Sequence, residues 1–359
     1  MTETRATRAR CQEADAKSPA GYDGRMAARR VTIVEIAQHV GLSKTTVSDA
    51  LHGGGRVSLS TAARVTAAAR ELGYVTNRAA RQLRGRSVGA FGIYIPPVAR
   101  NFNFYMEFAF GAAHGSAEHD ADLTLFARDA DVGPRHFQVD GVIAVDPLPG
   151  DPMLERLVEA GIPMVTAGRP PAALADAVAA VIEAPHADLA RTVLDHLRDS
   201  GFRRPAFVGS DQQFYSSWAD DVRRTYLDWC AEHDVKPSAF DCPLGATTEE
   251  LSAAVRSAVT PPDVDALVCA PQGFAGRSMA ILESVGRPVG PAFGLASLSS
   301  DPTTELGNPL ITAVELASWT FGREAVNLLA SVLAGEPHDY LNRFENVGVR
   351  TAGERITKS

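Results

Sequence analysis

The residues best placed to do chemistry lie in VTIVEIAQHVGLSKTTVSDALH, residues 31–52. Lys44, Thr45, Ser48, Asp49 and His52 recur there at helical spacing, so one side of a short helix carries a cation, two hydroxyls, a carboxylate and an imidazole. No G-x-S-x-G nucleophile elbow, H-E-x-x-H helix or G-x-x-x-x-G-K-[ST] loop is expected in the chain. The GGG at 53–55 has no strand before it and reads as a turn after the helix. His114, His119 and His136 are too scattered for a metal site, and Cys11, Cys230, Cys242 and Cys269 show no CxxC spacing. The expectation is a binding protein with no catalytic residue, no metal and no cofactor, its cysteines reduced.

Local signals say how that face is positioned. Thr32 and Glu35 form a T-x-x-E capping box. Ile33, Ile36, Ala37 and Val40 then make one apolar face, and Gly41 ends the helix. Ser43 caps a second helix whose inward residues are Val47, Ala50 and Leu51, which turns the five polar residues outward. A third helix is predicted near 60–72, with Val65, Ala68, Ala69 and Leu72 as its stripe and Gly73 as its stop. Two helices joined by GLS within a three-helix unit form a helix-turn-helix, whose second helix enters the DNA major groove. The rival reading is a small packing module whose polar face meets water.

Charge separates the reading head from the rest of the chain. Residues 1–86 hold 15 basic and 7 acidic residues, a balance of +8, while 87–359 hold 20 and 36, a balance of −16. A basic head on an acidic body points to a polyanion partner for the head, against the rival of a merely solvated terminus. The run ELGYVTNRAARQLRGRS, 71–87, adds Arg78, Arg81 and Arg84 around a lone apolar Leu83. Such a segment is too short and polar to be stable alone and fits a linker ordered by DNA, with Leu83 as a minor-groove wedge. A disordered surface linker is the alternative. Residues 1–28 lack periodicity and read as a disordered extension, and one reading starts translation at Met26. No run of about 18 apolar residues and no signal-peptide core is found, so a cytoplasmic location without membrane contact is expected.

From residue 87 the texture changes. VGAFGIYI (88–95), DLTLF (122–126), GVIAV (141–145) and PMVTA (163–167) alternate with helix-like stretches. PAFV (205–208), DALVC (265–269) and PAFGL (291–295) continue the alternation. This predicts parallel sheets covered by helices on both faces, in two lobes given the length.

Residues 31–95 closely resemble the lac repressor (LacI/GalR) family, through VTIVEIAQHVGLSKTTVS, RVS (56–58), ELGYVTNRAARQLR and the strand opening the core. VDGVIAV (139–145), GIPMV (161–165), HLRDSGFRRPAFVG (196–209), NPLIT (308–312) and Arg350-Thr351 extend the resemblance to about residue 355. It implies a bacterial transcriptional regulator, dimeric or tetrameric. The implied fold is an all-α helix-turn-helix headpiece plus an α/β core of two doubly wound parallel-sheet lobes, like periplasmic sugar-binding proteins. The implied boundaries are a disordered extension over 1–28, the DNA-binding domain over 29–75, a hinge helix over 76–86 and the core over 87–359. Within the core, lobe 1 takes about 87–183 and 314–339, and lobe 2 about 184–313 and 340–359.

Carried over by position, the resemblance implies DNA contacts at Thr32, Lys44, Thr45, Thr46, Ser48, Asp49, His52, Arg56 and Ser58. It implies hinge contacts at Asn77, Arg78, Ala80 and Leu83, with Leu83 opening a central step. Lysine suits guanine O6/N7 and a threonine methyl can touch thymine. Asp49 departs from the arginine or histidine usual there, and a carboxylate accepts only from an amino group such as cytosine N4. A shifted operator preference is the expectation. Two hinges on a two-fold axis imply a homodimer on a palindromic operator with a central CG step.

For an effector between the lobes, the resemblance implies Phe104 and Tyr105 as flanking aromatics, with core packing as their alternative role. The expected contacts are completed by Trp218 and Gln272. The usual polar clamp is missing: Ser216 and Val222 stand where arginines are common, Pro271-Gln272 where Asn-Asp is, and Ala296 where an aspartate is. The function expected is a sequence-specific DNA-binding regulator, a repressor controlled by a small effector such as a sugar or nucleoside. The alternatives are a solute-binding protein of a transport system, and a DNA-binding regulator controlled by a protein partner.

Overall fold

Capping residues set the first three helices in the computed structural model, which describes residues 31–52, 57–73, 87–127, 137–211, 214 and 216–353. Helix α1 (Ile33–Val40) opens on the Thr32–Glu35 capping box and closes at Gly41, whose φ of 68° suits a residue without Cβ. Helix α2 (Lys44–His52) follows Ser43, whose Oγ accepts from the Thr46 amide at 3.0 Å. Helix α3 (Leu59–Glu71) starts a residue earlier than the apolar spacing predicts, because the Ser58 hydroxyl accepts from the Thr61 amide. Ile36, Val47 and Val65 are fully buried where the three meet. Arg64 donates to the Val40 carbonyl at 2.7 Å, tying the end of α1 to α3. The predicted contacts Arg56, Asn77, Arg78, Ala80 and Leu83, and the extension 1–28, lie outside the described residues, as does the side chain of His52.

The headpiece and the core are separate compact units. The first lobe of the core begins with β1 (Ala90–Tyr94), α4 (Asn103–Glu118), β2 (Asp122–Phe126), β3 (Gly141–Val145), α5 (Pro152–Glu159), β4 (Met164–Ala167) and β5 (Val178–Glu183). The second holds α6 (His186–Asp199), β6 (Pro205–Ser210), α7 (Ser217–Glu232), β7 (Ala239–Cys242), α8 (Thr248–Ala258), β8 (Ala266–Cys269), α9 (Phe274–Ser284), β9 (Gly294–Ser297) and β10 (Thr312–Glu315). The chain then returns for α10 (Ser318–Ala334) and β11 (Leu341–Arg343), and ends its described part on β12 (Gly348–Arg350). The sheets run β11-β5-β4-β3-β1-β2 and β12-β10-β9-β8-β6-β7. All pairings are parallel except β10 with β12.

Central strands β3, β4, β8 and β9 are buried along their whole length, as strands with helices on both faces must be, and for that reason they are apolar apart from Thr166 and Ser297. PAFGL was expected to be the strand, but Gly290 and Phe293 exchange both backbone hydrogen bonds, so β9 begins only at Gly294.

Two lobe boundaries need correction. Residues 340–359 were assigned to the second lobe, yet β11 pairs with β5 in the first sheet. The Val181 amide donates to the Tyr340 carbonyl at 2.6 Å and the Phe344 amide to Glu183 at 2.8 Å. Thr312–Glu315, split by the predicted boundary at 314, lies wholly in the second sheet. The first lobe is therefore re-entered at α10, which packs along α4. The first two crossing segments, at 184–186 and 316, fall beside the cleft that the strand ends open onto.

Candidate functional site

Two places gather the residues singled out by type and spacing. On the headpiece, Lys44 and Thr45 are exposed and Thr46 and Asp49 half-buried on the side of α2 away from the core. Ser48 does not join them: it is only 9% exposed. At about 100° per residue Ser48 stands midway between the Val47–Leu51 stripe and the arc of Thr45 and Asp49, and the packing of the three helices takes it inward. Its placement as an outward reader is corrected. The hydroxyls of Thr32, Thr46 and Ser58 are engaged locally. Thr32 donates to Glu35 Oε2 at 3.0 Å, Thr46 shares a 2.8 Å bond with Ser43, and Ser58 caps α3. These residues fix helix starts, where amide N–H groups point outward and favour phosphate oxygens.

In the core, Phe104, Tyr105, Trp218 and Gln272 all line one cleft between the lobes, with about 620 Å³ of empty space, part of it open to solvent. Tyr105 is at once cavity wall and core aromatic, only 5% exposed. Position explains the convergence. α4 starts after β1, α7 after β6 and Gln272 after β8, so each side chain stands outside the carboxyl end of a parallel strand, where ligands of such sheets bind.

The reading by residue type missed the groups at the centre. Asp146 follows β3 directly, with φ 45°, an uncommon conformation for a residue other than glycine. Its Oδ2 accepts from the Tyr105 hydroxyl at 2.7 Å, and the Trp218 side chain reaches it from the other lobe. Burial pushes its carboxyl up to about 7, against the opposing pull of those two hydrogen bonds. The same burial, with the Asp146 charge, holds the Tyr105 hydroxyl well above its ordinary range. His186, at the start of α6, is driven down to about 4 by burial and by the Arg169 charge, so it is neutral near pH 7. Its Nδ1 is buried without a hydrogen-bond partner.

Direct bonds hold the lobes together across the cleft. Arg169, after β4, donates to both oxygens of Asp221 on α7 at 2.6 and 2.7 Å and to Glu183 at 2.7 Å. Its amide donates to Ser217 Oγ at 3.0 Å. Gln272 accepts from the Phe104 amide at 3.0 Å and donates to the Ser300 carbonyl at 3.2 Å, so one amide bridges both lobes. Gln272→Ala is expected to lower core stability by about 1–3 kcal/mol, since two buried partners lose their bonds. Faster hydrogen exchange at the Phe104 amide, with little change at β8, would locate the loss. The positions where arginines and an aspartate were expected are interior: Ser216 and Val222 are 1% exposed and Ala296 fully buried.

A signal for Asp146 was present: an acid immediately after an apolar strand of a parallel sheet faces the cleft. Arg169, Glu183, Asp221 and His186 carried no comparable signal. Residues 85–89, GRSVG, do spell G-x-S-x-G. Ser87 however precedes β1 instead of following a strand, and its hydroxyl donates to Asp140 at 3.0 Å, so no nucleophile elbow forms there. Among the described residues no group of three His, Cys, Asp or Glu could hold a metal, and no helix is long and apolar enough to cross a membrane. Cys230, Cys242 and Cys269 are buried free thiols.

Comparison with known proteins gives these features a context. Residues 32–77 match the family of bacterial regulatory proteins of the lacI type, and 194–347 match a periplasmic binding protein-like domain. The HTH-type transcriptional regulator CelR of Thermobifida fusca is 26% identical over 325 residues, covering 86% of this chain and 93% of the relative. The maltose regulon regulatory protein MalI of Escherichia coli K12 is 31% identical over 191 residues, 51% of this chain and 54% of MalI. The fold is shared with the lac repressor dimer bound to operator and an anti-inducer, at TM-score 0.68 and 18% identity. That match covers 90% of this chain and 99% of the repressor chain. It is shared likewise with a CelR–cellobiose complex, at TM-score 0.61 and 22% identity over 90% and 99%.

Proposed function

The chain belongs to the lacI family of bacterial regulatory proteins, and from that premise we propose that it represses transcription as a cytoplasmic homodimer on a palindromic operator. A small effector bound between the core lobes controls its affinity for that operator. The observation that carries the DNA reading is the α1–turn–α2 geometry, with Lys44 and Thr45 exposed at the start of α2 and Asp49 one turn on. Nothing in the headpiece interior needs those polar groups, since Ile36, Val47 and Val65 already close it. Lys44 supplies a donor for guanine acceptors and Asp49 an acceptor for a cytosine amino group. The hinge residues Asn77, Arg78, Ala80 and Leu83 complete the proposed contact at a central CG step. A solute-binding protein of a transport system would have no use for this headpiece.

Control follows from differential affinity: an effector shifts the lobe arrangement only as far as it prefers one arrangement over the other. Arg169–Asp221 and the Gln272 bridge hold the lobes together, so a ligand entering the cleft competes with them.

Gel-shift titration against DNA flanking the gene tests the reading. A sequence-dependent complex that survives moderate salt is expected, since non-specific binding fades steeply as salt rises. Its absence would reject the proposal. Lys44→Ala is expected to cost about 1–3 kcal/mol of operator discrimination, about 5- to 150-fold in affinity. Asp49→Ala should change preference at one base pair per half-site, and an unchanged preference would remove Asp49 from the reading face.

A further inference from the structure

We propose that the interlobe cleft takes an organic ammonium cation with an apolar body, its charge held by Asp146 between an aromatic wall from each lobe. This inference rests on the effector reading above and specifies its ligand. One wall comes from the first lobe, where the Phe104 ring lies 5.1 Å from Tyr105 and 6.4 Å from Phe321. Trp218 forms the other, with the His186 ring 6.1 Å away. Ring faces attract a cation within about 6 Å of their centroids, more strongly where water is excluded.

Charge points the same way. Asp146, Glu183 and Asp221 gather around this end of the cleft, against Arg169, which pairs with the last two, and Arg224, 3.7 Å from Asp221. None of the described lining residues is lysine or arginine. An anion would meet net negative charge there, and a cation would relieve it.

Hydrogen-bond supply is equally one-sided. A sugar presents hydroxyls that both donate and accept, and it needs both kinds of partner. The phenol, amide and guanidinium donors here are engaged already, Tyr105 with Asp146, Gln272 with Ser300, and Arg169 with Glu183 and Asp221, which leaves the Ser217 and Ser299 hydroxyls as the cleft's neutral donors. Beyond them, what stays open is acceptor capacity, on the Asp146 carboxylate beyond its two existing bonds, and an unpartnered Nδ1 on His186. An ammonium group donates only.

The groups facing Asp146 are Tyr105 from α4 and Trp218 and Ser217 from α7. His186 on α6, Glu183 on β5, Arg169 after β4 and Asp221 on α7 line or border the same cleft. With its carboxyl pushed up to about 7, Asp146 is about half protonated at pH 7 in the free protein. A bound cation favours the carboxylate, so binding releases a proton.

Calorimetric titration of the full chain tests this, with tetramethylammonium, benzylamine and phenethylamine against benzyl alcohol, 2-phenylethanol and cellobiose. The best amine should bind at least tenfold tighter than the alcohol of its shape. In buffers of differing ionisation enthalpy it should release roughly half a proton at pH 7 and almost none at pH 8.5. Asp146→Asn should weaken amine binding tenfold or more while its unfolding stays cooperative. Should that variant fail to fold, the proton release of the unaltered protein still decides. Equal affinity for amine and alcohol, binding of cellobiose alone, or no binding at all would each overturn the proposal. A gel shift of the same protein without ligand keeps the two readings apart. An intact operator complex with any of those outcomes overturns only the cation, whereas loss of the complex rejects the regulator.

Discussion

Gly322→Ala is expected to destabilise the core by at least about 3 kcal/mol, at or beyond the upper end of ordinary overpacking, and Gly111→Ala by a similar amount. α4 and α10 cross so closely at these glycines that backbone meets backbone. A Cβ on Gly322 would run into the Phe108 carbonyl, and one on Gly111 into the Trp319 carbonyl. Both approaches fall far below the ~3.5 Å optimum for nonbonded atoms. Backbone cannot swing aside as a side-chain tip can, so the helices must separate. Alanine's better helix propensity returns at most about 1 kcal/mol, which does not offset the clash. The melting temperature should fall by about 6–12 °C. Gly115→Ala is the internal control. On the same helix its Cβ would meet Arg323 O and Val326 Cβ at 3.2 Å, a contact that a shift of a few tenths of an ångström relieves. A change within about 1 kcal/mol is expected there. Equal effects at Gly115 and Gly322 would contradict the close-crossing account.

Asp146 and His186 should oppose each other in pH dependence. Asp146 is pushed up from 3.8 to about 7, so between those values the folded chain holds a proton that the unfolded chain has released. Stability from this residue therefore falls as pH rises from about 4 to 7, by about 4 kcal/mol in all. His186 is driven down from 6.5 to about 4, so over that span the unfolded chain holds the extra proton. Its contribution rises with pH by about 3 kcal/mol. Below pH 6.5 the two nearly cancel. Relative to the unaltered protein, Asp146→Asn should gain stability steadily from pH 4 to 7 as a penalty carried by the carboxylate is removed. His186→Gln should show its largest gain near pH 4 and lose it by pH 6.5. Urea unfolding of each protein from pH 4 to 8 measures both curves. Parallel curves for the two variants would show that neither group titrates as its surroundings dictate.

Much of the headpiece was legible because its signals are local. The Thr32–Glu35 box, Gly41 and Ser43 each act within one turn, and each sits at the helix end that its type demands. The apolar stripe of α3 was legible for the same reason, since a period of 3.6 needs only its own residues. Ser48 was misread because polarity is a weak guide to direction. On a two-turn helix the buried arc is wide enough to take a small hydroxyl. The cleft was half legible. Phe104, Tyr105, Trp218 and Gln272 were named from their positions, but their carboxylate, guanidinium and imidazole company was not.

By itself the sequence determined the three headpiece helices and seven of the core strands, because caps, periodicity and apolar strand runs are written in neighbouring residues, whereas β5, β7, β10, β11 and β12 carry no such local mark. Only the tertiary structure decided that β11 returns to the first sheet, that Ser48 faces inward and that Asp146 holds its proton near neutrality. The deciding contacts span the chain: Tyr105 to Asp146 is 41 residues and Phe104 to Gln272 is 168. Burial and protonation depend on what is brought alongside a group, and folding brings together residues that no local pattern connects.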